Sequence, residues 1–246
     1  MTTRFIADLH LEEDRPDITN AFLAFLPAYA HGIDALYILG DFFEAWIGDD
    51  ERTPLQETVA EALQAVTASG TALYLMHGNR DFLIGEDFCR RIGATLLDDP
   101  SAIDLYGEPT LLMHGDSLCT ADAEYQKFRA GMRDPRWQQA FLQRPLADRQ
   151  TVARQMREIS QAKNQGKEQT IMDVTPEEVV TTMENWGVQR LIHGHTHRPA
   201  VHELIVSGQS ARRYVTGDWH EQAWYIEARP DVEPALLSIP FRQLTD

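Results

Sequence analysis

The sequence predicts an α/β layered fold, and three observations support this prediction. Short apolar runs recur along the chain, and most of them end in a glycine and a polar residue. Segments with helical spacing of apolar residues lie between these runs. With 246 residues and 43% hydrophobic content, the chain is long and apolar enough to bury a large core. A chain that alternates strands and helices in this way is typical of layered α/β domains.

Five apolar runs indicate buried strands that open into polar loops at their carboxyl ends. They occupy residues 5–7, 35–39, 72–76, 110–113 and 190–192. In open α/β sheets, sites lie beyond the carboxyl ends of the strands. We therefore expect the polar residues after these five runs to converge at one edge of a single sheet.

Helical patterns separate the predicted strands. Residues 18–29 carry Ile18, Phe22, Phe25, Leu26 and Tyr29 on one face, and residues 54–68 show a similar alternation. From about residue 119 to 166 the strand signal disappears, which predicts several helices inserted between the fourth and fifth strands. Further strand signals follow at 213–216, 224–227 and 235–239.

Charge and composition narrow the function classes. The net charge of −16 argues against a general binder of nucleic acid or anionic membranes. Residues 121–170 differ from the rest, because they hold ten Lys and Arg but only six Asp and Glu. An anionic partner is expected to meet the chain there. The start of the sequence shows no secretory signal, and Cys89 and Cys119 are expected to be reduced thiols, so we expect a cytoplasmic protein.

Seven potential metal ligands follow the five predicted strands. They are Asp8, His10, Asp41, Asn79, His114, His195 and His197. Each motif alone is consistent with ordinary turn chemistry. Five such motifs at the strand exits of one predicted sheet argue against that interpretation for the whole set.

The ligand types indicate the kind of metal site. Carboxylate and amide oxygens mixed with imidazoles, without a thiolate, suit Mn²⁺, Fe²⁺ or Zn²⁺ better than a structural cysteine–zinc site. Seven groups exceed the needs of one ion and suit two ions that share a bridging carboxylate. Such two-metal sites activate water against phosphorus esters.

The motifs Asp-x-His, Gly-Asp, Gly-Asn, His and Gly-His-x-His, in this order, resemble those of the calcineurin-like metallophosphoesterases over residues 8–199. The resemblance implies a two-sheet αββα sandwich formed as one domain by residues 1–246. It also implies two metal sites with Asp41 bridging them. One site would use Asp8, His10, Asp41 and His197, and the other Asp41, Asn79, His114 and His195. His193 and His77 are expected to be buried behind the ligands.

Arg80 departs from the family pattern. Most members have Gly-Asn-His followed by an acidic residue, and that histidine is thought to protonate an alkoxide leaving group. Arginine does not donate a proton at neutral pH, although it binds phosphate oxygens bidentately. An enzyme without that acid should prefer a leaving group that needs no proton, such as a phosphate. This predicts a diphosphate substrate. The alternative is a surface arginine paired with Asp81 or Asp41.

Longer segments resemble one subfamily, the UDP-2,3-diacylglucosamine diphosphatases of lipid A biosynthesis. These segments are ADLHL (7–11), GDFFEAWIGDD (40–50), MHGNRDF (76–82), MHGDSLCT (113–120) and HGHTHRP (193–199). The resemblance implies a Mn²⁺-dependent hydrolase with two Mn²⁺, peripheral to the cytoplasmic face of the inner membrane. Its products would be UMP and 2,3-diacylglucosamine 1-phosphate, formed by water attack on the α-phosphorus. Asn79, Arg80 and His195 would be catalytic.

The subfamily also implies a helical lid over residues 119–168 and a set of substrate contacts. These contacts are Asn79, Arg80, Asp122, Ser160, Asn164, Lys167 and His195. Ser160, Asn164 and Lys167 stand on one stripe of a helix, beside the apolar Val152, Met156, Ile159 and Ala162. An ordinary amphipathic helix packed on the body is the alternative. Asp122 would then cap a helix and Tyr125 would pack locally.

Three other functions compete with this hypothesis. A general phosphodiesterase or phosphomonoesterase of the same fold would hydrolyse p-nitrophenyl esters, but the absence of histidine at position 80 argues against it. A binding scaffold without catalysis should have lost ligands, whereas all seven are present. A nuclease conflicts with the acidic composition, so we expect no nucleic-acid partner.

Trp46 and Trp219 are expected in the core or in a pocket wall. Asp218 is expected in a turn or behind a ligand histidine.

Overall fold

Two β-sheets form the centre of the protein in the computed structural model, which describes residues 1–164 and 173–245 and, for residues 160–164, the backbone only. The first sheet contains β1 (Thr3–Ile6), β2 (Ala35–Leu39), β3 (Ala72–Met76), β4 (Ala94–Leu97), β10 (Gln222–Arg229) and β11 (Val232–Pro240). Their order across the sheet is β11-β10-β1-β2-β3-β4. The strands from β1 to β4 run parallel, whereas β10 and β11 are antiparallel to their neighbours.

The second sheet packs against the first. It contains β5 (Ser101–Leu105), β6 (Glu108–Leu112), β7 (Arg190–His193), β8 (Ala200–Val206) and β9 (Gln209–Val215). The order is β5-β6-β7-β9-β8, with β6, β7 and β9 parallel. The two outer strands, β5 and β8, are antiparallel to their neighbours.

Successive side chains along a strand point to opposite faces of the sheet, and this divides the core into layers. In β2, Tyr37 and Leu39 join a cluster that includes Leu112 and Ile192 of the second sheet. Leu36 and the other outward residues of β2 contact the helices instead. Because β2 is covered on both faces, every residue in it is apolar and buried.

Helices cover the outer face of each sheet. The first sheet carries α1 (Pro16–Phe25), extended by a π-helical turn over Leu26–Ala30, α2 (Pro54–Ala68) and α3 (Glu86–Ile92). On the second sheet lies α7 (Pro176–Trp186). A short α8 (Phe241–Thr245) contacts α1. The predicted αββα sandwich is confirmed.

The predicted inserted helices are α4 (Ala123–Met132), α5 (Pro135–Leu142) and α6 (Leu146–Asn164). They lie between β6 and β7, the strands that contain the fourth and fifth predicted apolar runs, as the sequence indicated. The numbering differs because β4 and β5, which are partly exposed and lack a long apolar run, were not predicted. Within residues 1–164 and 173–245, no helix has the length and hydropathy needed to cross a bilayer.

The ligand-bearing loops leave both sheets. Asp8, Asp41 and Asn79 follow β1, β2 and β3, whereas His114 and His195 follow β6 and β7. The expectation of a single sheet was therefore wrong. The loops still converge, because the parallel strands of the two sheets present their carboxyl ends at the same edge of the sandwich.

Candidate metal centre

Two clusters of potential ligands lie at this edge. Asp8, His10 and His197 form one trio, and Asp41, His114 and His195 form the other. The atoms within each trio lie within 4.8 Å of one another. In the first, Nε2 of His10 is 3.3 Å from Nε2 of His197, which is 3.6 Å from Oδ1 of Asp8. Ligands bound ~2.1 Å from one cation lie roughly 3.0–3.5 Å apart, so these spacings fit a shared ion.

Asp41 faces both clusters. Its Oδ2 lies 3.7 Å from Nε2 of His10, and its Oδ1 lies 3.7 Å from Nε2 of His114. The side chain is 3% exposed. One buried carboxylate thus directs one oxygen toward each set of imidazoles, which is the arrangement expected of a bridging ligand.

Asn79 completes the second cluster. Its Oδ1 is 3.0 Å from Nε2 of His114 and 2.9 Å from Nδ1 of His195. The structure therefore brings all seven predicted ligands into one site. Their binding of metal stays a prediction. The donor set of buried carboxylates, an amide oxygen and converging imidazole nitrogens fits two divalent cations.

The backbone of these loops is strained. Asp8, His10, Asp41, His195 and His197 all have positive φ, between 49° and 69°. This region costs a residue with a Cβ about 1–2 kcal/mol, and such residues cluster at functional sites. These five strained residues come from three loops that meet at one site, which is consistent with loops shaped for ligand geometry rather than for backbone stability.

Buried carboxylates hold the loops together. Asp81 is fully buried and accepts hydrogen bonds from the backbone nitrogens of Gly78 (2.8 Å) and Phe42 (2.7 Å). Asp8 accepts from the backbone nitrogen of His195 at 3.0 Å and 2.8 Å, so it connects the two sheets. These bonds fix the ligand loops relative to one another.

Close backbone packing also constrains the site. A side chain at Gly78 would lie 2.8 Å from Cγ of Asp41 and overlap the Asp41 backbone nitrogen. The backbone of Gly78 is not in the left-handed region. The requirement for glycine here is therefore the close approach itself.

Without bound ions, the carboxylates of the site favour protonated imidazoles. Burial lowers the pKa of His10, but its hydrogen bond to the Glu44 carboxylate and the charge of Asp41 raise it to about 9. Burial also opposes the charged form of His114, and Asp41 again raises its pKa to about 9. For His195, burial and the neighbouring His114 lower the pKa to about 4. A divalent cation held by His10 and His114 would therefore displace their protons.

Burial and neighbouring charges also shift the pKa values of the predicted acidic ligands, Asp8 and Asp41. Burial opposes ionisation of Asp8, yet His197 lowers the pKa of this carboxyl to about 2. Burial raises the pKa of Asp41. A carboxylate whose ionised form is disfavoured by burial gains stability from a bound cation.

Arg80 lies beside the metal centre. Its Nη1 is 3.6 Å from Oε1 of Glu44, so neither Asp81 nor Asp41 is the carboxylate placed at ion-pair distance. Glu44 also lies 2.8 Å from Nδ1 of His10 and so orients a predicted ligand. The sequence reasoning missed Glu44, although it stands three residues after Asp41 in the segment 40–50.

A cavity of about 200 Å³ opens next to the site. Asn79 and Arg80 line it, as do the acidic Glu44 and Asp116. Much of the wall is apolar, and α4, α5 and α6 contribute to it. The apolar side chains include Trp46, Phe82, Leu83, Phe128, Trp137, Phe141, Met156 and Ile159. Phe128 and Ile159 are 51% and 58% exposed, so the inserted helices present apolar surface toward this space.

The predicted substrate contacts on the insertion have different outcomes. Asp122 caps α4, because its carboxylate accepts from the backbone nitrogen of Tyr125 at 3.1 Å. Lys167 and the side chains of Ser160 and Asn164 lie outside the described residues, as does the side chain of Ala162. Val152 packs on the core cluster.

Several basic residues of the insertion point into the protein. Arg149 is 2% exposed and donates to the carbonyl of Ile47 and to Asp50. Arg129 and Arg133 also bond to the body. The excess of positive charge in residues 121–170 thus serves partly to attach the helices, a role that charge counting alone did not anticipate.

The remaining predicted residues lie close to the site. His193 is fully buried, and burial together with Arg213 lowers its pKa to about 3. Nε2 of His77 contacts the carbonyl of Ile84 at 2.6 Å. Trp219 is buried in the core, and Oδ2 of Asp218 lies 3.7 Å from Nδ1 of His197. Trp46 is also buried and lines the cavity described above.

Comparison with known proteins shows the family. The model of the calcineurin-like phosphoesterase family matches residues 1–199. A Marinobacter nauticus protein named UDP-2,3-diacylglucosamine hydrolase is 68% identical over 240 residues, covering 98% of each chain. Proteins of the same name from Hahella chejuensis and Pseudomonas aeruginosa are each 57% identical, over 94% and 92% of this chain and 95% of their own lengths.

Proposed function

The chain belongs to the UDP-2,3-diacylglucosamine hydrolases of the calcineurin-like phosphoesterase family, and from this premise we propose that it hydrolyses the diphosphate of UDP-2,3-diacylglucosamine. The products are UMP and 2,3-diacylglucosamine 1-phosphate, which makes the reaction a step of lipid A biosynthesis. The observation that carries the proposal is the pair of ligand clusters around Asp41, which lies beside a cavity lined by Arg80 and by many apolar side chains.

We propose that the cofactor is a pair of Mn²⁺ ions. Asp8, His10 and His197 would hold one, Asn79, His114 and His195 the other, and Asp41 both. When bound, the ions lower the pKa of water and neutralise charge on phosphate oxygens. The mixed oxygen and nitrogen donors and their spacing support this assignment.

Arg80 and Asn79 bind the diphosphate in this proposal. Both line the cavity. The Arg80 guanidinium carries a fixed positive charge and can donate two parallel hydrogen bonds to phosphate oxygens. Such preorganised charge stabilises the negative charge that builds up during phosphoryl transfer. Water attack at the α-phosphorus makes the sugar 1-phosphate the leaving group.

A phosphate leaving group is compatible with arginine at position 80. A phosphate with a second pKa of about 6 departs without protonation at neutral pH. Arg80 therefore does not need to act as an acid. His195 is a candidate for contact with the substrate through Nε2, since its Nδ1 faces Asn79.

The inserted helices bind the lipid part of the substrate in this proposal. Trp137, Phe141 and Met156 supply apolar surface to the cavity. Asp122, Ser160, Asn164 and Lys167 remain proposed contacts to the sugar and phosphate. For an enzyme that acts on an acylated substrate, we propose a peripheral position at the cytoplasmic face of the inner membrane.

Incubation of the purified protein with Mn²⁺ and UDP-2,3-diacylglucosamine tests the proposal. We expect UMP from the wild type and none from Asp41→Asn, which weakens the shared ligand without changing its size. Comparable turnover of p-nitrophenyl esters would indicate a general phosphoesterase instead. Absence of UMP from the wild type would refute the proposal.

Hydrolysis in ¹⁸O-labelled water tests the direction of attack. Attack at the α-phosphorus places the label in UMP. Label in 2,3-diacylglucosamine 1-phosphate would mean attack at the other phosphorus and would contradict the assigned leaving group.

A further inference from the structure

One polar stripe of α4 faces the metal centre. Tyr125 and Arg129 lie four residues apart on this helix, and Arg133 follows four residues later as its C-cap. Residues at this spacing share one side of a helix. None of the residues of α4 is fully buried, so an apolar core face does not account for its attachment.

The first contacts of the stripe go to the loop that carries His114. The Tyr125 hydroxyl donates to Oδ2 of Asp116 at 2.9 Å, and Nε of Arg129 donates to the same oxygen at 2.8 Å. Asp116 is fully buried and lies two residues after His114. Nε2 of Gln126 donates to the backbone carbonyl of Asp116 at 2.8 Å.

The other contacts reach two more ligand loops. The Tyr125 ring stacks on the imidazole of His195, with centroids 6.0 Å apart and planes 25° apart. Nη2 of Arg133 donates to the carbonyl of Gly78 at 2.9 Å, one residue before Asn79. The stripe thus contacts the exits of β3, β6 and β7, which belong to different sheets.

Arg129 also neutralises a buried pair of carboxylates. Its Nη2 lies 3.6 Å from Oδ2 of Asp99, whose side chain is 5% exposed. Oδ1 of Asp99 accepts from the backbone nitrogen of His114 at 3.2 Å. Among the described residues, Oδ2 of Asp99 and Oδ1 of Asp116 are buried and lack a hydrogen-bond partner. Removal of the Arg129 charge would leave two adjacent buried carboxylates to repel each other beneath a metal ligand.

We propose that Tyr125, Arg129 and Arg133 are positioning residues that hold Asn79, His114 and His195 in register across the two sheets. The helix α4 is then part of the metal centre, in addition to its role in covering the substrate. This inference rests on the proposed function, because it concerns the same metal site.

The experiment compares Arg129→Met, Arg129→Lys and Lys127→Met. Lys127 is an exposed cation on the opposite side of α4 and controls for loss of charge from this helix. Mn²⁺ affinity is measured by electron paramagnetic resonance without substrate, and kcat and KM are measured separately. We expect Arg129→Met to weaken Mn²⁺ binding and lower kcat by about 10–100-fold, with KM unchanged. Arg129→Lys should recover part of both, and Lys127→Met should match the wild type.

Other outcomes separate the possible errors. Unchanged Mn²⁺ affinity and kcat with a raised KM would show that the stripe serves substrate closure only, and would overturn the inference. If Arg129→Met does not fold, Arg133→Met tests the same claim at the Asn79 loop, and wild-type behaviour there overturns it. Failure of the wild type to bind Mn²⁺ or release UMP would refute the proposed function instead.

Discussion

Replacement of Gly78 by alanine should disable the metal centre although it replaces none of the predicted ligands. The added methyl carbon would lie 2.8 Å from Cγ of Asp41, whereas two carbons in contact prefer about 3.5–4.0 Å. Relief of this overlap requires the loops after β2 and β3 to separate by roughly 0.7 Å or more. Both loops carry predicted ligands, and Asp41 is the one that faces both clusters, with Oδ2 at 3.7 Å from His10 and Oδ1 at 3.7 Å from His114.

The expected magnitude follows from that displacement. A misplacement near 1 Å costs about 100-fold in rate, and overpacking of this kind costs about 1–3 kcal/mol of stability. Gly131→Ala is the matched control. Gly131 lies in α4, has no positive φ and has no atom within 4 Å of the added carbon. It should keep wild-type activity and gain up to about 1 kcal/mol of stability.

The assay combines metal content after dialysis against Mn²⁺, thermal unfolding and the rate of UMP release. We expect Gly78→Ala to retain less metal and to lose activity, while Gly131→Ala retains both. A Gly78→Ala protein with two bound ions and the wild-type rate would refute the argument that the contact between these loops fixes the ligand geometry.

Three further predictions concern charge. Arg80→Met should lower kcat/KM on the diphosphate substrate by about 100–1,000-fold in the same UMP assay, because one fixed cation at the phosphate is lost. Binding of Mn²⁺ to the ion-free protein at pH 7.5 should release protons, because the pKa values of His10 and His114 are both raised to about 9, and affinity should rise with pH up to that value. Calorimetry in buffers of different ionisation enthalpy measures this release. Arg149→Met should lower the free energy of unfolding by about 2–3 kcal/mol, because the buried carbonyl of Ile47 loses its donor, as urea titration would show.

Each of these has a contradicting result, and the two substitutions also have a control variant. Arg90→Met removes an exposed arginine and should match the wild type in UMP release, so an equal loss in both variants would contradict the role of Arg80. A binding enthalpy that does not change with the buffer would contradict the claim that His10 and His114 are protonated in the ion-free protein. Arg154→Met removes an exposed cation from the same helix as Arg149, and equal stability of the two variants would contradict the anchoring role.

The sequence predicts the central strands well because burial on both faces leaves a continuous apolar run. The predicted runs at 35–39 and 72–76 coincide with β2 and β3. The same reasoning misses β4, β5 and β8, which are partly exposed and mix polar with apolar residues. The division into two sheets also cannot be read from local patterns, because it depends on which strands pair across the chain.

In the candidate site, too, local sequence identifies some residues and only the tertiary structure identifies others. Asp8, Asp41 and His114 stand directly after predicted strands, so local sequence is sufficient to find them. Asp116 and Arg129 carry no local signal, because their role depends on a helix packing against loops of both sheets. Residues that act through tertiary contacts require the structure.

A crystal structure of the protein grown with Mn²⁺ and recorded at the manganese absorption edge tests the metal centre most directly. We predict two anomalous peaks, one beside Asp8, His10 and His197 and the other beside Asn79, His114 and His195, with an oxygen of Asp41 beside each. A single peak outside these clusters, or no peak with the same side chains turned apart, would contradict it.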